Sequence, residues 1–176
     1  MAEQATILFV DDDPKAGELM LRFSEGASYQ CKVFQESPAA LEYFRDHQAD
    51  LIISDLRMPK LTGIELLREI RLIDKQVPFI IVTGFADVES AIEAMRLGAS
   101  DFVKKPFDMD ELMILIERTL ESKALKQENK LLKRQLKDEK KRYGMLGKSE
   151  EMQDVYSIID KIADIRCNVI IEGESG

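Results

Sequence analysis

The chain has 176 residues, 45% of them hydrophobic and 33% charged, with a formal net charge of −8 and two cysteines. No apolar run approaches the roughly 20 residues of a membrane span, and no charged start leads into a long apolar stretch as in a secretory signal, so a soluble cytoplasmic protein without a membrane partner is expected. Cys31 and Cys167 are too few and too far apart to suggest a disulfide framework or a zinc site, and both read as small buried hydrophobes.

The length suits one good core with part of a second domain. In chain order, Ile7-Leu8-Phe9-Val10 is a short apolar run that ends in Asp11-Asp12-Asp13. Such runs, rich in Ile, Val and Phe and alternating with stretches of helical spacing, mark βα units feeding a parallel sheet. From Pro14 to about Glu25 the spacing places Ala16, Leu19, Met20 and Phe23 on one helical face. Pro14 fits the first turn, where a missing N–H does no harm, and Asp13 reads as the cap. Gln30 to Phe34 is the predicted second strand. Ser37 and Pro38 then form a predicted N-cap and first-turn pair ahead of Leu41 and Phe44. His47, the single histidine, reads as an exposed helix end.

Leu51-Ile52-Ile53-Ser54 is the predicted third strand and runs into Asp55. The helix after it spans Gly63 to Arg71, with Ile64, Leu67 and Ile70 at helical spacing. Phe79-Ile80-Ile81-Val82 forms the fourth strand and ends at Thr83. Asp87 is expected to cap a helix carrying Val88, Ala91, Ile92 and Met95, with Gly98 as its C′ residue. Asp101-Phe102-Val103-Lys104 forms the fifth strand, which ends at Lys105. The prediction is an α/β fold, five strands alternating with five helices, within about the first 120 residues.

If those runs are neighbouring parallel strands, Asp11, Asp12, Asp55, Thr83 and Lys105 fall together at the carboxyl edge of one sheet, where open α/β folds place their ligand sites. Close carboxylates repel one another unless a cation neutralises them, and a hard cation such as Mg²⁺ prefers oxygen ligands. The set suits a divalent metal and a phosphoryl group.

The helix that starts near Asp108 has no evident stop. From Glu111 to Arg142 there is neither Gly nor Pro, and Glu, Lys, Leu and Gln dominate. Leu125 and Leu132 stand seven apart, with Ser122, Asn129, Leu136 and Tyr143 as the companion series. With the leucines at d and the other series at a, this is a short parallel coiled coil in which Asn129 fixes register and a two-stranded state. A lone exposed helix is the alternative. Charge sets the segment apart: 13 Lys and Arg against 22 Asp and Glu up to Leu120, 9 against 4 from Glu121 to Arg142, and 3 against 7 thereafter. That basic stretch reads as a solvated helix face, because no aromatic interleaving or recognition motif points to nucleic acid.

Tyr143 to Ser149 breaks the helix, and Glu151 to Ala163 resumes helical spacing with Met152, Val155, Ile158, Ile159 and Ile162. Asn168 to Ile171 is an apolar strand running into Gly173-Glu174-Ser175-Gly176. Gly173 and Gly176 would open a phosphate-binding loop of the form G-x-x-x-x-G-K-[ST], though the chain stops before its second conserved glycine and its lysine.

At these residues residues 1 to about 120 resemble the receiver domain of two-component response regulators. The match lies in the apolar strand into Asp11-Asp12, Asp55 followed by Met58-Pro59 and Gly63, Thr83-Gly84, and Lys105-Pro106-Phe107. The resemblance implies a five-stranded parallel sheet of flavodoxin-like order 2-1-3-4-5 with helices on both faces. It also makes Asp55 the phosphoacceptor, attacking the phosphohistidine of a partner histidine kinase to form an acyl phosphate. Asp12, Asp55 and the backbone carbonyl of Arg57 would hold Mg²⁺ directly, and Asp11 mainly through water. Lys105 and Thr83 would each contact a phosphoryl oxygen. Lys105-Pro106 matches a bond usually cis in the family. Thr83 and Phe102 would be the switch pair, with phenylalanine replacing the frequent tyrosine. Phe85, unable to orient water, would slow loss of the phosphoryl group.

The linker, Met145-Leu146-Gly147-Lys148-Ser149 and Gly173-Glu174-Ser175-Gly176 resemble the approach to the AAA+ ATPase domain of sigma-54-dependent activators of the nitrogen-regulatory type. The expected organisation is a receiver at 1–120, a coiled-coil dimerisation linker at 121–142 carrying Leu125, Asn129, Leu132 and Leu136, and an incomplete AAA+ segment at 143–176. Such a chain would be a regulatory phosphoacceptor and a homodimer, with ATP, DNA and sigma-54 polymerase engaged by the full-length parent alone. Two other classes also fit parts of the pattern. A haloacid dehalogenase-type phosphohydrolase would use Asp11 as nucleophile with Asp13 beside it, and a free-standing receiver or dimerisation module would use the fold without this output.

Overall fold

The computed structural model describes residues 4–84, 88–139 and 149–163, together with Ile170 and Gly173. In chain order the elements are β1 (Ala5–Val10), α1 (Pro14–Ser24), β2 (Tyr29–Phe34), α2 (Ser37–Asp46), β3 (Leu51–Asp55) and α3 (Gly63–Ile73). They are followed by β4 (Phe79–Thr83), α4 (Val88–Arg96), β5 (Asp101–Lys104), α5 (Met109–Glu139) and α6 (Glu150–Ile162). The chain divides into two compact units, Met1–Lys126 and Gln127–Gly176.

All five strands are parallel, in the order β2-β1-β3-β4-β5. The flavodoxin-like fold expected from the resemblance is therefore present. β3 and β4 are buried along their whole length, which is why they read as unbroken apolar runs. Because successive side chains on a strand point to opposite faces, the sheet feeds two cores. Leu8, Val10, Ile52 and Ile81 pack with Leu41, Phe44, Leu66, Leu67 and Ile70 of α2 and α3. Ile7, Phe9, Ile53, Ile80 and Val82 pack with Met20 of α1 and with Leu112 and Ile116 of α5.

Local chemistry sets the helix ends. Asp13 caps α1, its carboxylate accepting from the Lys15 N–H at 2.9 Å, and Pro14 takes the first helical position. Thr62 and Glu65 form a reciprocal capping box at the start of α3. At the end of α4 the Gly98 N–H reaches the Met95 carbonyl and the Ala99 N–H the Ala94 carbonyl, while Gly98 has φ +92°. That is the Schellman closure expected of a C′ glycine. His47 lies exposed just after α2, and Ser149 caps α6.

Three expectations fail in detail. Leu19 and Phe23 are 41% and 43% exposed, whereas Gly17 and Met20 are buried. The absent Gly17 side chain lets α1 lie close against Val33, which a Cβ would meet at 2.6 Å, and this contact turns the larger residues outward. α4 behaves likewise: Ala94 is fully buried, while Ile92 and Met95 are half-exposed. Ser37 is not the N-cap of α2. Glu36 holds that position without a side-chain cap, and Ser37 is the first helical residue, its hydroxyl turned to another partner. Asp87, Phe85, the break at Tyr143–Gly147, Cys167 and most of the expected strand at 168–171 lie outside the described residues.

One long-range tie was not foreseen. Lys123 of α5 donates to Asp50 Oδ1 at 2.7 Å, and the other oxygen of Asp50 accepts from the Thr6 N–H at 2.9 Å. Burial works to raise the Asp50 carboxyl, but the Lys123 ammonium and the Thr6 N–H outweigh it and hold it below the usual carboxylate range.

Candidate functional site

The parallel register brings the predicted residues to one edge. Val10 pairs with Ser54, Asp55 with Val82, and Thr83 with Lys104, so the next residue beyond each strand end meets its neighbours there. The backbone continues the arrangement past the strands: Asp11 N–H donates to Phe34 O at 3.0 Å, Leu56 N–H to Val82 O at 2.7 Å, and Lys105 N–H to Thr83 O at 2.7 Å.

Lys105 is the centre of the cluster. Its ammonium lies 2.6 Å from Asp11 Oδ2 and 2.9 Å from Asp55 Oδ1, although the three residues are far apart in sequence. Asp11 is 1% exposed and Lys105 30%. The second oxygens of the two carboxylates are also engaged: Asp11 Oδ1 accepts from the Asp13 N–H at 3.0 Å, and Asp55 Oδ2 from the Arg57 N–H at 2.8 Å. The Lys105–Pro106 bond is cis, as the resemblance implied.

Burial pushes the Asp55 carboxyl above its usual range, with the nearby Asp11 charge adding to this, despite the Lys105 ammonium and the Arg57 N–H pulling it down. For Lys105, burial works to lower the ammonium, and the paired Asp11 and Asp55 carboxylates outweigh it, so it is held up. A carboxylate kept from water beside a cation could attack an electrophile without first shedding a full hydration shell.

Asp12 is exposed and does not join the Lys105 pairings. Among the described residues no three acidic, histidine or cysteine groups stand together as a formed metal site. Lys105 pairs with both Asp11 and Asp55. The donor chemistry nevertheless suits a hard divalent cation: Asp11, Asp12 and Asp55 offer only oxygens, and one ammonium leaves part of their charge uncompensated.

Thr83 is buried at the end of β4 beside this cluster, and Phe102 on β5 is 47% exposed. On α5, Leu125, Asn129 and Leu132 are exposed, while the Leu136 side chain lies outside the described residues. Gly173 is exposed, and Gly176 also lies outside them. Phosphate-loop geometry therefore has no described counterpart. Asp50 is an engaged side chain that the sequence did not single out, and Ser37, expected there as a cap, has a different partner. Asp50 immediately precedes a buried strand, as capping residues do, but its partner Lys123 is 73 residues away.

Comparison with known proteins agrees with this architecture. Residues 7–117 match the family model described as the response regulator receiver domain. The chain is 35% identical over 170 residues to the regulatory protein AtoC of Escherichia coli, which covers 97% of this chain and 37% of that protein. It is 32% identical over 176 residues to the DNA-binding transcriptional regulator NtrC of the same organism, covering 99% and 36%. The chain thus spans little more than a third of these relatives. Among solved structures it resembles the signal receiver domain of a Luxo repressor protein from Vibrio parahaemolyticus, with a TM-score of 0.68 at 25% identity over 71% of this chain and 96% of that one. A response regulator receiver domain protein from Clostridium thermocellum gives a TM-score of 0.65 at 32% identity, over 69% and 98%. With its strand order, its acidic edge and the matched 7–117 segment all in agreement, the chain belongs to the response regulator receiver family.

Proposed function

We propose that the chain is a phosphorylation-controlled signal receiver in which Asp55 accepts a phosphoryl group from a partner histidine kinase. The observation that carries this reading is the Lys105 ammonium held 2.9 Å from Asp55 and 2.6 Å from Asp11 at the sheet edge, with Thr83 on the adjoining strand. An Asp55 oxygen forms the new O–P bond as the P–N bond of the phosphohistidine breaks, its electron pair leaving with the imidazole. Lys105 balances charge on the transferred group, and Thr83 donates its hydroxyl to a phosphoryl oxygen. Asp12, Asp55 and the Arg57 carbonyl would hold Mg²⁺, with Asp11 supporting it through water. That ion, when bound, would draw charge from the phosphoryl oxygens.

The engagement of Asp13 with the Lys15 N–H, and the near-complete burial of Asp11, favour this reading over a hydrolase using the Asp11/Asp13 pair. Phosphorylation draws Thr83 toward the phosphoryl group and Phe102 inward, altering the surface of α4, β5 and α5. Its output is dimerisation through α5 and Leu125, Asn129, Leu132 and Leu136. In the parent this would govern an AAA+ ATPase acting on sigma-54 polymerase at DNA, where ATP is used. This chain itself is a regulatory phosphoacceptor, organised as a receiver at 1–120, a linker at 121–142 and an incomplete ATPase segment at 143–176, and it works in the cytoplasm. No helix among the described residues is long and apolar enough to cross a membrane.

Labelling with acetyl phosphate or a phosphorylated kinase tests the assignment. Asp55→Asn should abolish acid-stable, hydroxylamine-sensitive label. Label retained in Asp55→Asn and lost in Asp11→Asn would instead establish the hydrolase.

A further inference from the structure

We infer that Ser37 is a positioning residue of the phosphoacceptor site, holding the loop that leaves Asp55 from the first turn of α2. The inference rests on the Asp55 reading for its functional consequence and on geometry for its substance.

Ser37 is fully buried, and its hydroxyl donates to the Leu61 carbonyl at 2.8 Å, with Met58 Sδ at 3.5 Å. A serine at the start of a helix ordinarily turns its oxygen onto that helix's own free N–H groups. Here α2 has no side-chain cap, and Glu36, its N-cap residue, also reaches across, both its oxygens meeting Lys60 Nζ at 2.9 and 2.8 Å. Two successive residues at the start of α2, its N-cap and its first residue, thus serve the loop over 56–62 in place of their own helix.

That loop needs holding. Lys60 has φ +71°, a left-handed conformation unfavourable for a residue with a side chain. The Leu61 N–H closes back on the Pro59 carbonyl at 2.8 Å, and the Gly63 N–H on the Leu56 carbonyl at 3.0 Å. At its other end the Arg57 N–H donates to Asp55 Oδ2 at 2.8 Å. Within the loop, Arg57 is thus tied to Asp55, and Met58, Lys60 and Leu61 to the start of α2, while Leu56 meets Val82 and Thr62 pairs with Glu65 of α3. Releasing the Leu61 carbonyl leaves a part-buried acceptor unpaired and should loosen the left-handed turn and, with it, the Arg57 amide that meets Asp55. The sequence concealed this role because Ser-Pro before an apolar stretch has the pattern of a cap.

The test compares Ser37→Ala with Ile70→Val, which trims the same core from near the far end of α3. In full-length protein without added metal, exchange of the Arg57, Leu61 and Gly63 amides should quicken about tenfold in Ser37→Ala, as expected when a buried partner is lost. The Ile80 amide in β4 should not show that local increase. Half-saturating Mg²⁺ for acetyl phosphate labelling of Asp55 should rise about fivefold, on the same scale, with a smaller change in maximal rate. Ser37→Cys, which keeps a weak donor, should recover part of both effects. Exchange in the loop that is unchanged, or matched by Ile70→Val, overturns the inference. If Ser37→Ala does not fold, Glu36→Gln must show a smaller quickening at Leu61, and its absence is equally fatal. Wild-type protein that never labels at Asp55 would sink the functional reading alone, since the exchange result is read without phosphate.

Discussion

Gly63→Ala offers a test in which geometry sets the magnitude. A Cβ built on Gly63 would lie 2.3 Å from the Asp55 carbonyl oxygen and 3.1 Å from both the Asp55 carbonyl carbon and the Leu56 Cα. All of these are backbone atoms, so no side chain can swing away, and α3 or the end of β3 must retreat by about 0.7 Å to restore the roughly 3 Å that such contacts require. Overpacking of this kind costs about 1–3 kcal/mol. Strain on the Gly63 N–H bond to Leu56 adds about 1 kcal/mol. Better helix propensity returns at most about 1 kcal/mol, and less at a first helical position. The net is a loss of about 3 kcal/mol, or roughly 10 °C in Tm for a domain of this size. Gly17→Ala is the natural comparison, since its Cβ would meet Val33 Cγ1 at 2.6 Å, a side-chain atom that a χ1 change can move, whereas the atoms facing Gly63 are all backbone. It should cost about 1 kcal/mol or less, propensity offsetting part of the clash. Urea titrations followed by far-UV circular dichroism suit a protein without tryptophan. Gly63→Ala should also label Asp55 more slowly, because the displaced backbone is that of the acceptor itself. A Gly63→Ala midpoint equal to wild type, or a larger loss in Gly17→Ala, would refute the reasoning.

Other outcomes follow from the site and its surroundings. Lys105→Met leaves Asp11 and Asp55 facing each other and should cost about 2–3 kcal/mol at neutral pH, less than a fully buried pair because Lys105 is partly exposed. Added Mg²⁺ should restore part of that loss in thermal melts, whereas indifference to Mg²⁺ would argue against the acidic set as an ion site. The depressed Asp50 carboxyl gives the folded state stability that is fully present above the ordinary aspartate value and is lost as pH falls through the lower folded value. Asp50→Asn should remove this component, no more than about 1 kcal/mol given its exposure, and flatten the acid limb of stability against pH. Cys31, its thiol pushed up to about 12 by burial, should alkylate at pH 8 two to three orders of magnitude more slowly than in unfolded chain, about the ratio of thiolate fractions. Mass analysis of the Cys31 peptide reads this directly. Thr62→Ala, which dismantles the capping box of α3, should cost about 1 kcal/mol in the same urea titrations.

The parallel sheet was legible because β3 and β4 are covered on both faces, so that burial itself wrote unbroken apolar runs into the sequence. The acidic edge was legible for the same reason: Asp55, Thr83 and Lys105 stand where such runs stop. Helix orientation was less so. Apolar periodicity favours large side chains such as Leu19, Phe23, Ile92 and Met95, whereas close packing on the sheet selected Gly17 and Ala94, whose small size permits approach. Polar side chains with distant partners were least visible. Nothing near Ser37 announces Leu61, and nothing near Lys123 announces Asp50, because sequence spacing reports neighbours along the chain and these bonds join different elements.

Lys105 and Lys123 bracket the start of α5, and each is fastened to an aspartate at an opposite end of β3, Asp55 and Asp50. The strand acts as a strut with the helix lashed along it. Both contacts oppose a lengthwise shift of α5, which would lengthen one of them. Should a new anion draw the Lys105 end while Lys123 keeps its hold on Asp50, the movement expected of the helix is a swing about its Lys123 end.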